Sequence, residues 1–218
     1  MHLEHFILND IAPLSLQDKV KEAQLLFSQL TTSHVIIEDD GNFFGLLSET
    51  DALCFEATKP ISDFSYAIER IFVLESTLWL ETLEAFSKNK TNVMPVLNAE
   101  GQYLGYYELN DVIGLFSSTP FFSEPGHILV IEKNYVDFSF SEITQVVESN
   151  GGEVLGLFRS RLEQGQIQLV LKIGQRELNA VLQGLRQYDY TVKSIHQEDD
   201  HLKVLKERAA YLDRYLKI

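Results

Sequence analysis

Two pairs of residues have the types and spacing to do chemistry at the start of a helix: Ser48 with Asp51, and Glu108 with Asp111, the second pair 60 positions after the first. A carboxylate offers acceptors to two adjacent hydroxyls at once, which suits Asp51 to a ligand that carries a diol. Ser-x-x-acid is equally a helix capping box, in which both side chains satisfy free N–H groups. Both roles are open for Ser48 and Asp51. At Glu108 and Asp111, two carboxylates discourage a phosphate and favour a cation, while acidic residues at a helix start also complement its dipole. His34 stands at the head of an apolar strand, where a lone histidine is commonly a satisfied core or edge residue.

Nothing else assembles into a catalytic centre. The six histidines fall at 2, 5, 34, 127, 196 and 201. There is no His-Glu-x-x-His, no Cys-x-x-Cys and no phosphate-cradling Gly-x-x-x-x-Gly-Lys. His2, Glu4 and His5 lie at a terminus prone to fraying, which makes a poor metal site. The single cysteine, Cys54, sits between Leu53 and Phe55 and reads as core rather than nucleophile. The chain is therefore expected not to be an enzyme.

The elements that must position these residues occur twice. Gly41, Gly45 and Asp51 recur as Gly101, Gly105 and Asp111. Each copy has a glycine turn, a short apolar strand that meets a second glycine, and a polar cluster where a helix begins. Ahead of the turns lie the strands His34-Val35-Ile36-Ile37 and Met94-Pro95-Val96-Leu97. Ahead of those are amphipathic helices, marked by Leu16, Val20, Ala23, Phe27 and Leu30 in the first copy and by Leu80, Leu83 and Phe86, with Trp79, in the second. The unit reads helix, strand, strand, helix.

That order, with apolar-Pro-Val-apolar, two glycines and Ser-x-x-Asp entering a helix, resembles the cystathionine-β-synthase (CBS) domain over residues 1–116. The second copy keeps Met94-Pro95-Val96-Leu97 and Asp111 but carries Glu108 where the family prefers a hydroxyl. The first keeps Ser48 and Asp51 but has Val35 where the family prefers proline. The resemblance implies a CBS pair, with repeats at about 1–58 and 61–116, that binds an adenine-containing ligand such as AMP, adenosine or S-adenosylmethionine. It implies Asp51 as acceptor for the ribose hydroxyls, with Ser48, His34 and Ile36 around it, and a second site at Glu108 and Asp111. It also implies a homodimer through the repeat helices, for which Phe55, Trp79 and Phe116 offer aromatic surface.

Charge narrows the partners. The 218 residues carry a net −14, and residues 1–116 hold 6 Lys+Arg against 18 Asp+Glu, a net −12. So acidic a region repels a phosphate backbone, which argues against nucleic acid, and it disfavours a triphosphate unless a cation accompanies it. No apolar run approaches the roughly 20 residues of a membrane-spanning helix, so no membrane partner is expected. Hydrophobic content of 45% with 23% charged residues is that of a folded globular protein. One cysteine and no basic signal-like start fit a reducing cytoplasm.

After the second copy, Ser117 to Gly126 holds two prolines, a glycine and four hydroxyl residues, which marks a linker over 117–127. Residues 128–218 form a different unit: strand Ile128–Lys133, helix Ser141–Asn150 closed by Gly151-Gly152, strand Val154–Phe158, an alternating strand through Ile167, Leu169, Leu171 and Ile173, a helix through Leu178, Val181, Leu182 and Leu185, and a strand Tyr190–Ile195. This β-α-β-β-α-β order is the ferredoxin-like arrangement. Behind a CBS pair it looks like an ACT domain, and the whole is similar to acetoin-utilisation-type CBS–ACT regulatory proteins. The loop after the first strand has no glycine, and Asn134 and Asp137 are its candidate ligand residues. A closing helix from about Asp200, with Leu202, Leu205, Ala209, Leu212 and Leu216 on one side, is expected to need a partner for its stripe. The expected fold class is α/β (α+β), a repeat pair with a ferredoxin-like domain and a C-terminal helix. The expected function is non-enzymatic ligand sensing. The other reading is a ligand-free dimerisation and docking scaffold.

Overall fold

The computed structural model describes residues 3–195, a mixed α/β chain in two compact units, one reaching to Phe116 and one from Ser117. The expected helix after Asp200 lies outside the described residues.

The first unit opens with a 3₁₀ turn, Glu4–Phe6, then runs β1 (Leu14–Ser15), α1 (Val20–Gln29), β2 (His34–Asp39), β3 (Asn42–Ser48) and α2 (Glu49–Cys54). A 3₁₀ segment, Ile61–Ala67, leads into β4 (Val73–Leu74), α3 (Trp79–Asn89), β5 (Val93–Leu97), β6 (Tyr103–Glu108) and α4 (Leu109–Ser117). The sheets are β1-β2-β3 and β4-β5-β6, each with a parallel first pair and an antiparallel hairpin. The two copies are thus the same fold.

They are not related by a constant spacing. Gly45 stands opposite Ile37 and Gly105 opposite Val96, so the residues after the hairpin turn are 60 apart and those before it 59. The turn accounts for the difference. Asp40-Gly41 is a two-residue loop with both φ positive, at 47° and 77°, the geometry that fits the twist of a hairpin. The second turn has three residues, Ala99 to Gly101, with only Gly101 left-handed at φ 81° and Asn98 Oδ1 accepting from Glu100 N and Gln102 N. Hence Ile36, not Val35, is the structural equivalent of Pro95. The helix faces follow the same shift: Val20, Ala23 and Phe27 correspond to Trp79, Thr82 and Phe86, while Leu80, expected inside, is 54% exposed.

Neither copy completes its own core. Leu8 exchanges two 2.8 Å backbone hydrogen bonds with Tyr106, and Leu3, Phe6, Ile7 and Ile11 pack with the core of the second copy. Glu69 does the same with Leu46 at 2.8 and 2.9 Å, and Ile61, Phe64 and Ile68 join the core of the first. The segment leading into each copy therefore crosses onto the other. The second glycine of each repeat lies where it crosses: a Cβ on Gly45 would stand 2.6 Å from Ile68 Cγ2 and 2.7 Å from Glu69 O, and one on Gly105 would meet Leu8 O and Ile7 Cγ2. Equivalent residues of two copies can touch only beside the twofold axis that relates them. Here Ser33 and Asn92 do so, as do the stacked rings of Phe43 and Tyr103, 6.3 Å between centroids at 12°.

The second unit begins with a helical turn, α5 (Pro120–Ser123), and continues β7 (Gly126–Asn134), α6 (Phe140–Ser149), β8 (Val154–Glu163), β9 (Gln166–Gly174), α7 (Leu178–Gln187) and β10 (Thr191–Ile195). The antiparallel sheet runs β10-β7-β9-β8, the ferredoxin-like order. Ile167, Leu169, Leu171 and Ile173 of β9 are buried with Ile143 and Val147 of α6 and Val181 and Leu185 of α7. Gly151, at φ 79°, closes α6 while Gly152 N donates to Val147 O at 2.9 Å. On the other face the stretch before β7 is anchored rather than loose: Lys172, 6% exposed, donates to Phe121 O and Glu124 O, and Phe121 packs on Phe158.

Candidate functional site

Each strand-to-helix junction of the repeat pair is held the same way. Thr32 Oγ1 donates to His34 O and Thr91 Oγ1 to Val93 O, both at 2.7 Å, fixing the bend into β2 and β5. Glu49 N donates to Ser33 O and Leu109 N to Asn92 O, both at 3.0 Å, fixing the first turn of α2 and α4. Between them, Ser33 N and Oγ donate to Asn92 Oδ1 at 2.8 and 2.9 Å, and Asn92 N donates back to Ser33 Oγ at 3.0 Å. The two junctions therefore share one hydrogen-bonded hub on the pseudo-twofold axis. The sequence signal for it was the pair Thr32-Ser33-His34 and Thr91-Asn92-Val93, which a fixed spacing of 60 hides.

In the first copy Ser48 is the N-cap of α2. Its Oγ accepts from Asp51 N at 3.1 Å and donates to Asp51 Oδ2 at 2.6 Å. The capping role is thus occupied, and it leaves Asp51 Oδ1 without a hydrogen bond among the described residues. His34 pairs with Ser48 across β2–β3, and its Nδ1 lies 2.8 Å from Ser33 Oγ. Burial lowers the His34 pKa from 6.5, against the opposing pull of Glu69 and Asp51. A folded-state pKa below the unfolded one means that stability is full above 6.5 and is lost as pH falls below it. We expect the urea midpoint to drop between about pH 7.5 and pH 5, and His34→Val, the residue that the second copy has here, to flatten that drop. An unchanged slope would rule out His34 as its source. Ile36 is 6% exposed and its side chain lies within the core, so it stands apart from the polar trio.

In the second copy Glu108 occupies the position of Ser48 and Asp111 that of Asp51, both half-buried. A cleft of ≈ 330 Å³ opens here, lined by Ile11, Leu30, Thr31, Thr32, Asn92, Val93, Glu108, Leu109 and Asn110. A wider groove of ≈ 510 Å³ adjoins the same loop and reaches Ser33 and Glu49. The pseudo-twofold carries the cleft's walls onto Lys90, Thr91, Ser33, His34, Ser48, Glu49 and Thr50 in the first copy. Lys90, in a left-handed conformation at φ 52° after α3, is the basic residue that sequence reading did not connect with the site.

The loop of the second unit is less suited to a ligand. Asn134 and Asp137 are exposed and close a turn, Asp137 N donating to Asn134 O at 3.1 Å. The charged groups behind them satisfy one another. Lys133 Nζ is 2.7 Å from Glu142 Oε1, holding that carboxyl below its usual range, and lies 4.3 Å above the Tyr190 ring. Cys54, expected in the core, is exposed; on the short helix α2 it is Ala52 that turns inward, with Phe55 beyond the helix stacked on Phe64 at 4.1 Å. Among the described residues no group of His, Cys, Asp and Glu could hold a metal ion, and no helix is long and apolar enough to cross a membrane.

No family model and no curated protein matches the chain. Solved structures similar to it include a CBS domain pair/ACT domain protein from Thermotoga maritima, at 20% identity and a TM-score of 0.48 over 53% of this chain and 96% of that one. The CBS domains of a transcriptional regulator from Streptococcus pneumoniae are 18% identical, with a TM-score of 0.46 over 52% of this chain and 98% of that one. CBSX2 in complex with AMP is 16% identical, with a TM-score of 0.45 over 53% and 95%. These are likenesses of about half the chain, to CBS domain pairs.

Proposed function

We propose that this chain is a non-enzymatic regulatory protein that binds a small adenine-containing ligand at the Ser48–Asp51 junction in the first copy of a CBS pair. The observation that carries this is the free Oδ1 of Asp51, which can accept from a ribose hydroxyl while Oδ2 stays with Ser48. Lys90 and His34, at the places of the cleft-lining Thr31 and Val93, are the groups proposed to meet a single phosphate. AMP and adenosine fit best, and S-adenosylmethionine remains in the same class. We further propose the division into repeats at about 1–58 and 61–116, a linker over 117–127 and an ACT-like domain over 128–218. The setting is the cytoplasm, in an acetoin-utilisation-type regulatory role, without nucleic acid or a membrane as partner.

The protein is proposed to be a homodimer through the repeat helices. Leu53 of α2 and Ile113 of α4, at equivalent positions, are 60% and 48% exposed, so the pseudo-symmetric unit presents a branched apolar side chain at the same place in both copies. Thermal shift with AMP tests the ligand, since a ligand at 100 times its Kd adds about 2.7 kcal/mol. Light scattering on the same samples tests the dimer, and a monomeric mass at micromolar concentration would remove it. A scaffold without ligand is the second reading, favoured by the occupied Ser48–Asp51 cap and the self-satisfied Lys133, Glu142 and Tyr190 cluster. No shift with any adenine compound would select it.

A further inference from the structure

The ≈ 330 Å³ cleft of the second copy has a charge of one sign. Among its lining residues Glu108 alone is ionisable, and none is Lys, Arg or His. Among the described residues neither an ion pair nor a hydrogen bond reaches the Glu108 carboxylate. Asn92 is spent on the hub, its Oδ1 on Ser33 and its Nδ2 on Thr31 O at 2.8 Å, and Thr32 Oγ1 is spent on His34 O. What the cleft offers a ligand is therefore apolar wall from Ile11, Leu30, Val93 and Leu109, the neutral polar groups of Thr31 and Asn110, and one full negative charge. The pseudo-twofold sets Lys90 where Thr31 stands and His34 where Val93 stands, so the matching positions of the first copy carry a basic and a titratable group that the second-copy cleft lacks.

We propose that the second cleft is a site for a small organic cation, an ammonium, guanidinium or sulfonium compound with an apolar body and no phosphate, and that Glu108 sets this selection. A hydroxyl here would serve a diol or a phosphate as well as anything else. A carboxylate in a partly enclosed cleft repels phosphate and attracts the cation through a charge-assisted hydrogen bond or a direct ion contact. The proposal rests on the repeat pair being a ligand-binding pair, as the proposed function has it, and extends that reading to the second copy with a ligand of opposite charge.

Two cation probes without a nucleoside, agmatine and n-butylammonium, are titrated calorimetrically into the full chain and into Glu108→Gln and Glu108→Asp. At least one probe is expected to bind at one site per chain and to weaken roughly tenfold or more in Glu108→Gln. Glu108→Asp should retain most of the affinity, and added salt should narrow the Glu108→Gln difference. Failure of both probes to bind, or equal affinity in Glu108→Gln and the parent chain, overturns the proposal. AMP run alongside separates the two ideas. Asp51-dependent AMP binding without Glu108-dependent cation binding removes the second-cleft site and leaves the first, and the opposite pattern does the reverse.

Discussion

Gly105→Ala is expected to destabilise the chain by about 3 kcal/mol or more, and Gly45→Ala by about 2–3 kcal/mol. At both positions a new Cβ runs into the backbone of the segment that crosses from the other copy, Leu8 O in one case and Glu69 O in the other. Backbone cannot swing aside as a side-chain tip can. Gly105 has the further burden of φ 145°, which disfavours any side chain. Gly101 is the control. It is left-handed at φ 81° but has nothing within 4 Å of its would-be Cβ, so Gly101→Ala should lose only about 1 kcal/mol. Urea denaturation of the three variants gives the order directly. Equal losses at all three would show that turn conformation, not the crossing, explains why glycine recurs in both copies.

Asp51→Ala is expected to weaken AMP by roughly 1.5–3 kcal/mol, the range for a hydrogen bond to a charged acceptor. Its effect on folding should be smaller, below about 1 kcal/mol, because Ser48 Oγ still caps α2 through the N–H of residue 51 while the favourable charge at the helix start is lost. Asp111→Ala should barely change AMP, since its neighbour Glu108 already opposes a phosphate. Calorimetry on the folded variants decides between the copies, and equal losses would mean that the nucleotide sits elsewhere.

The repeat, the helix-strand-strand-helix order and the β-α-β-β-α-β unit were legible because each rests on local periodicity and on glycines at turns. The register between the copies was not. One extra residue in the Ala99 to Gly101 turn shifts everything before it by one, and only strand pairing reveals that Ile36 answers to Pro95. The same shift hid Ser33 and Asn92, whose contact depends on an axis that no one-dimensional pattern contains. Leu80 looked internal because its spacing from Leu83 matches a helical face, yet the buried line runs through Thr82 and Phe86. Cys54 was placed inside by its apolar neighbours, one of which, Leu53, is itself 60% exposed. Of the candidate site, the Ser48–Asp51 pair could be read from spacing. Its capping geometry, the carboxylate oxygen left over and the equivalence of Lys90 with Thr31 required the fold.

An adenine ligand of low charge is the one expected at the Ser48–Asp51 junction, in a unit carrying a net −12. The run Glu38-Asp39-Asp40 lies at the hairpin end of β2, away from Ser48; the carboxylates that act on His34 at the site are Glu69 and Asp51, and like charges at a partly exposed site repel by roughly 1 kcal/mol per pair. The most direct measurement is calorimetric titration of the full chain with adenosine, AMP and ATP, free of Mg²⁺, at two salt concentrations. AMP or adenosine is expected to bind more tightly than ATP, with added salt narrowing the gap by screening. Metal-free ATP binding tightest at low salt, or no binding by any of the three, would contradict the account.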